Sequence, residues 1–203
     1  MRYKAIFFDW GGVIARDPGN DFLEVMLKRL GATQDQADHI FATYKIRFMR
    51  GHISEAEYWE ALRKEYGLKI HPSISEEFKK WKGLEVDQTI LDLARQAKAM
   101  GIKIGVLSNI FEPTYNVIKQ AGYYDMFDEV VASCKVGYAK PEEAIYRIAL
   151  ERMQVKAEES VFIDDKLRCL EPAQKLGFTT IHAENHEQLA RDLTALLKTQ
   201  TVA

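Results

Sequence analysis

Four short apolar runs in this chain end in side chains that can do chemistry. Asp9 follows Ala5-Ile6-Phe7-Phe8, Ser108-Asn109 follows Val106-Leu107, Ser133 lies ahead of Lys140, and Asp164-Asp165 follows Val161-Phe162-Ile163. They supply a carboxylate, hydroxyls, an ammonium and a carboxylate pair, which is the set that metal-assisted phosphoryl transfer requires. Gly11 and Gly12, just after Asp9, let the backbone turn sharply and approach a phosphate closely. Taken singly, an Asp or a Ser-Asn at a strand end is an ordinary turn or cap residue. The Asp164-Asp165 pair says more, because adjacent carboxylates at a buried strand end repel each other and are tolerated mainly beside a cation. His182 and His186 stand four apart, but they straddle a strand-to-helix loop rather than one helix face, and read as no metal pair.

The elements that must hold these residues can be read from hydrophobic period. The first strand is followed by a stretch that is helical throughout, residues 22–81. Phe22, Val25, Met26 and Leu30 recur at helical spacing up to Gly31, and Ala37, Ile40, Phe41, Tyr44 and Phe48 repeat the pattern up to Gly51. Ser54 and Glu57 form a capping box that opens a helix carrying Tyr58, Trp59, Leu62 and Tyr66 before Gly67. A short fourth helix takes in Phe78 and Trp81. Most of these aromatic residues lie on apolar helix faces and read as core.

From residue 86 strands and helices alternate: helix 90–100, strand 103–107, helix 114–120, strand 129–132, helix 141–152 with a proline near its first turn, strand 160–163, helix 167–176, strand 178–181 and helix 187–197. Alternation of this kind predicts an α/β fold, a Rossmann-like parallel sheet with helices on both faces. Residues 1–15 and 84–203 are the expected core, and residues 16–83 a small all-helical cap inserted after the first strand. The insertion leaves the sheet just past Asp9, where strand ends open onto a ligand crevice, so it is placed to act as a lid.

Composition narrows the partners. At 203 residues with a net charge of −2, the chain has room for a full core but no basic excess for nucleic acid or an anionic membrane. Cys134 and Cys169 lie outside metal-ligand spacing and suggest a reducing compartment, neither looking catalytic. The N-terminal apolar run is too short for a signal peptide or a membrane span, and the expected location is cytoplasmic. The expected oligomeric state is monomer or homodimer.

All four sites in their order resemble the motifs of the haloacid dehalogenase superfamily, in its phosphatase branch with a helical cap after the first motif. The resemblance runs over nearly the whole chain, including Val136-Gly137 before Lys140-Pro141, Ile145-Tyr146 after it, and Gly177 beyond Asp164-Asp165. It implies Asp9 as a nucleophile that forms an aspartyl-phosphate, dividing one hard hydrolysis into two displacements. Ser108 would hydrogen-bond a transferring oxygen, with the Asn109 side chain or amide nearby as a binding group. Lys140 would place its charge on the phosphoryl group and neutralise Asp9. The implied cofactor is Mg2+, held by Asp9, Asp165 and the Gly11 carbonyl, with Asp164 reaching it through water or orienting Lys140; manganese uses similar ligands. A small cap suits a small phosphorylated substrate.

Gly11 departs from the pattern. Phosphatases of the family carry a second aspartate there as general acid, a contribution worth about 10²–10⁴-fold. Three explanations stay open: a substrate with a good leaving group, such as an anomeric sugar phosphate, an acyl phosphate or an aryl phosphate; a substitute from Arg16, Asp17, Arg47 or Glu57; or a weakly catalytic protein that binds phosphorylated ligands. The family's metal-independent 2-haloacid dehalogenases also lack that aspartate, but they usually have an aromatic residue in its place and no carboxylate pair like Asp164-Asp165.

Overall fold

The computed structural model describes residues 2–15, 27–69 and 85–200. Five parallel strands form one sheet in the order β3-β2-β1-β4-β5. β1 is Ala5–Phe8, β2 Lys103–Ser108, β3 Glu129–Ala132, β4 Ser160–Asp164 and β5 Thr179–His182. β1 lies at the centre, with Phe8 opposite Val106 on one side and Ile163 on the other.

Side chains alternate across the sheet as the two-residue strand period demands. Ile6, Phe8, Ile104, Val106, Val161 and Ile163 face one core. It is closed by α4 (Gln88–Ala99), α5 (Glu112–Gln120) and α9 (His186–Gln200). Phe7, Leu107, Val131 and Phe162 face the other, under α7 (Glu143–Met153) and α8 (Leu167–Leu176). Both faces of the central strands are buried, which is why they read as unbroken apolar runs.

The insertion after β1 is helical. Residues 27–29 are helical; then come α1 (Gln34–Ile40), a π-helical turn at Phe41–Lys45, α2 (Ile46–Met49) and α3 (Glu55–Tyr66). Ile40, Phe48, Tyr58, Trp59 and Leu62 form its own core, against which Phe111 of the sheet domain also packs. The Ser54–Glu57 capping box is present as expected. The single helix expected through Ala37–Phe48 is instead interrupted by the π turn, whose wider winding leaves Phe41 and Tyr44 only half-buried. The expected helices at 22–30 and around Phe78 and Trp81 lie largely or wholly outside the described residues.

The two connections to the insertion run side by side. Ala15 bridges Val86, and the Asp87 amide donates to the Ile14 carbonyl at 2.9 Å. Asp87 then caps α4 through the Thr89 and Ile90 amides. His186 pairs with this same aspartate at 3.0 Å. No described helix is long and apolar enough to cross a membrane.

One helix starts later than expected. α7 begins at Glu143, not at Pro141, because residues 139–142 are held as a loop: Asn109 grips the backbone of Lys140, and the Glu142 carboxylate accepts the Ala139 amide. Ser133 opens a short helix, α6 (Ser133–Val136), immediately after β3.

Candidate active site

The carboxyl ends of β1, β2 and β4 bring most of the expected residues together. Asp9, one residue past β1, is pinned by its amide to the Ile163 carbonyl at 2.9 Å. Asp9, Ser108, Lys140 and Asp164 are 6%, 3%, 4% and 0% exposed, so the site concentrates charge where water cannot screen it.

Lys140 is the hub. Its Nζ donates to the Leu107 carbonyl at 2.9 Å and to Asp164 Oδ2 at 2.6 Å, and lies 3.0 Å from Asp9 Oδ1. Two of the three ammonium donors are thus in hydrogen bonds, and the third protein oxygen, on Asp9, lies at ion-pair distance. Burial alone would push the Lys140 amine down, but Asp9 and Asp164 raise it, and it stays a cation. Its single positive charge is shared between two aspartates and offsets only one of them.

Burial raises the Asp9 carboxyl above the usual range, opposed by Lys140, while Asp164 adds to the rise and a hydrogen bond from Ser108 counters it. Asp9 Oδ1 also accepts the Trp10 amide at 2.7 Å. The Trp10 ring is buried and packs edge-on to Tyr124 at 5.2 Å, within the core of the sheet domain.

Asp165 completes an acidic cluster. One carboxylate oxygen each from Asp9, Asp164 and Asp165 lie within 4.8 Å of one another. The Asp165 Oδ1 atom is buried without a hydrogen-bond partner, and burial raises this carboxyl too. An orphaned carboxylate oxygen beside two others is costly unless a cation neutralises it, and hard oxygen donors of this kind fit magnesium. Gly12 makes the approach possible. With φ of +79°, it sits where an added Cβ would fall 2.6 Å from Asp165 Cγ.

The Asn109 side chain has a backbone partner. Its amide nitrogen donates to the Lys140 carbonyl and its oxygen accepts the Lys140 amide, both at 2.7 Å. The side chain is thus engaged by the lysine's backbone. Ser133 likewise faces away from the acidic cluster's chemistry: its hydroxyl accepts the Ile110 amide at 3.0 Å and donates to the Met49 carbonyl at 2.8 Å.

At Gly11 an added Cβ would meet nothing within 4 Å, so open space stands where the family's second aspartate would begin. Of the residues considered as substitutes, Glu57 is held by Ser54, whose backbone amide and hydroxyl keep its carboxyl below the usual range. Arg47 is exposed, and Arg16 and Asp17 lie outside the described residues.

Two residues, Lys166 and Glu142, escaped the sequence reading, and a third, His182, was weighed there only as a metal pair with His186. Lys166 Nζ lies 3.7 Å from Asp165 Oδ2, and its amide donates to Asp164 Oδ1 at 2.8 Å. Its place next to Asp164-Asp165 was a signal. His182 Nε2 is 3.0 Å from the Asp165 carbonyl oxygen, and its opposition to Asp164 follows only from strand register. Glu142 carried no signal beyond its position after a proline. The thiols of Cys134 and Cys169 are buried and free, pushed up by that burial to about 12 and about 11, and so are protonated.

This arrangement accords with what the chain resembles. Residues 3–177 match the family model of the haloacid dehalogenase-like hydrolases. The chain belongs to that family. It is 29% identical over 198 residues to the sesquiterpene phosphatase astK of Aspergillus oryzae, covering 96% of this chain and 97% of that one. Two further curated relatives are longer, and the chain spans 36% and 19% of their lengths. Among solved structures, a predicted HAD-like hydrolase of Porphyromonas gingivalis superposes with a TM-score of 0.80 at 24% identity, over 97% of this chain and 98% of that one. A HAD-family enzyme of Bacteroides thetaiotaomicron, solved with magnesium and inorganic phosphate, gives 0.73 at 22%, over 89% and 93%.

Proposed function

We propose that the chain is a magnesium-dependent phosphatase that hydrolyses a small phosphate monoester through phospho-Asp9. The observation that carries this reading is the orphaned Asp165 oxygen in a cluster of three carboxylates, two of them buried, which a metal-free hydrolase would have no use for. Two relatives, a phosphatase similar over 96% of this chain and an enzyme of the same fold solved with magnesium and inorganic phosphate, support it.

In this reading Asp9, Asp165 and the Gly11 carbonyl hold the ion, with Asp164 contributing through water or through Lys140. Bound there, magnesium supplies positive charge against the phosphoryl oxygens and the carboxylates. The Asp9 carboxylate attacks phosphorus and the ester oxygen leaves; water then attacks the aspartyl-phosphate, releasing inorganic phosphate and restoring Asp9. Lys140 keeps Asp9 ionised, and Ser108 donates to a transferring oxygen. Asn109 serves by holding Lys140, a positioning role in place of direct phosphate binding. The insertion forms the cap, residues 16–83, and shields the reaction from bulk water.

With Gly11 in place of an acid, the leaving group departs without protonation by that position. The proposed substrates are therefore esters of acidic hydroxyls, an anomeric sugar phosphate among them. The full-length similarity to astK favours a second class, a sesquiterpene phosphate. The test is kcat/KM across a series of aryl and alkyl phosphates, with farnesyl phosphate and an anomeric sugar phosphate included. A rate that falls steeply as the leaving group becomes less acidic supports the reading. Equal rates for alkyl and aryl esters contradict it, and halide release from 2-chloropropionate that survives chelation would move the chain to the dehalogenase branch.

A further inference from the structure

The insertion touches the core at the loop that carries Lys140. Arg50, capping the end of α2, lies 2.8 Å through Nη2 from Glu142 Oε1, and that same oxygen accepts the Ala139 amide at 2.8 Å. Ala139 precedes Lys140 directly. On the opposite side, Asn109 holds both backbone groups of Lys140. The lysine's main chain is thus gripped by a core residue on one side, while the other side leads through one carboxylate oxygen to the insertion.

The contact is built for close seating. The Ser133 hydroxyl ties the Met49 carbonyl to the Ile110 amide, next to Asn109. Gly51, at φ of +68°, lies so near the Cys134 carbonyl that an added Cβ would fall 2.3 Å from its oxygen. Phe48 stacks on Phe111 at 4.9 Å. Arg50 and Glu142 are each only partly exposed, at 29% and 34% of their side chains, so their attraction is screened less than that of a surface pair.

We propose that Arg50 is a positioning residue for Lys140, acting through Glu142, so that seating of the helical insertion on the core sets the catalytic lysine. This edge of the insertion is a fixed pivot. Lys140 has a narrow geometric margin, with three protein oxygens within 3.0 Å of its ammonium, and displacement of a catalytic group by about 1 Å can cost about 10²-fold in rate. The proposal borrows its kinetic readout from the phosphatase reading. Its second readout, amide exchange, does not depend on that reading.

The experiment compares Arg50→Met, Arg50→Lys, Glu142→Gln and the double variant Arg50→Met/Glu142→Gln with the parent, using p-nitrophenyl phosphate with magnesium and hydrogen exchange of the Ala139, Lys140 and Glu142 amides. Arg63→Met, at an exposed arginine paired within its own helix to Glu60, is the control. Glu142→Gln keeps an acceptor for the Ala139 amide while removing the charge that Arg50 meets. The expected result is a kcat lowered about 10-fold in Arg50→Met and Glu142→Gln with KM within about two-fold, partial rescue in Arg50→Lys, and a double variant no worse than either single. Exchange of the Ala139 and Lys140 amides should quicken in Arg50→Met and not in Arg63→Met. Unchanged kcat and exchange in a folded Arg50→Met, effects that multiply in the double variant, or a rise confined to KM would each overturn the proposal. Should the parent hydrolyse no phosphate ester, the phosphatase reading fails alone, and unaltered 139–142 exchange in Arg50→Met would still be needed to sink this one.

Discussion

At the carboxyl ends of the strands, Asp9, Lys140 and Asp164 are packed out of water beside a partly buried Asp165, one of whose carboxylate oxygens is buried and unpaired. At the amino ends of the same sheet, charge is handled in the opposite way. Lys4 meets Glu159 at 2.6 Å with the lysine largely exposed, Lys103 Nζ donates to the Met153 carbonyl, and Asp128 accepts both the Ile104 amide at 2.8 Å and Lys98 at 2.9 Å. Every one of those groups finishes a strand end or a helix end in reach of solvent. One sheet therefore carries a strained, charged end that serves chemistry and a satisfied end that serves stability, and the two should answer mutation differently.

The sharpest break is Lys140→Met. It leaves Asp9 and Asp164 buried without their shared cation, and loss of one partner from a buried ion pair costs about 3–5 kcal/mol, read from chemical denaturation, with activity abolished. Gly12→Ala comes next. The added methyl collides with Asp165 and the residue is forced to hold a positive φ, so the protein should lose its magnesium-induced rise in melting temperature and about 10²-fold in kcat/KM.

Asp165→Asn separates the two kinds of end most cleanly. Removing one of the three clustered carboxylates should raise the melting temperature of metal-free protein by about 2–4 °C, the change that about 1 kcal/mol makes in a chain of this size, while abolishing stabilisation by magnesium. A metal-free melting temperature that falls would show that the cluster is not under charge strain.

Asp128→Asn tests the other end and should cost about 1 kcal/mol at neutral pH with kcat and KM unchanged. Although burial alone would raise Asp128, Lys98 and the Ile104 amide hold its carboxyl below the ordinary 3.8. A depressed folded value means that the stabilisation is complete above about pH 4 and is lost as pH falls through the folded value. Urea denaturation from pH 7 downwards should show this loss in the parent and not in the variant.

How much of this could be read in advance depended on where the signal lay. The central strands were legible because burial on both faces makes them unbroken apolar runs, each followed by a polar residue. Asp9, Ser108, Asp164 and Asp165 stood at those run ends, and Lys140, from the loop beyond β3, meets Asp9 and Asp164 in space. The helical insertion followed from a change of period. The π turn did not, because an extra residue in one turn leaves the apolar residues in place and shifts only their angle. Arg50 looked like a solvated helix end and Glu142 like an ordinary first-turn residue, and the meeting of Arg50 with the Glu142 oxygen that also accepts the Ala139 amide depends on two elements far apart in the chain. Asn109 was recognised as important by its place after Ser108, but which partner its amide takes is decided by the loop at 139–142.

The most direct test of the account is hydrolysis of p-nitrophenyl phosphate by the parent protein with magnesium, with a chelator, and by Asp9→Asn with magnesium. The leaving group is acidic enough that nothing at Gly11 is required. The account predicts activity that vanishes on chelation, returns with added magnesium and falls by about 10³-fold or more in Asp9→Asn. Activity that persists in the chelator or in Asp9→Asn, or none in the parent above that variant, would contradict it.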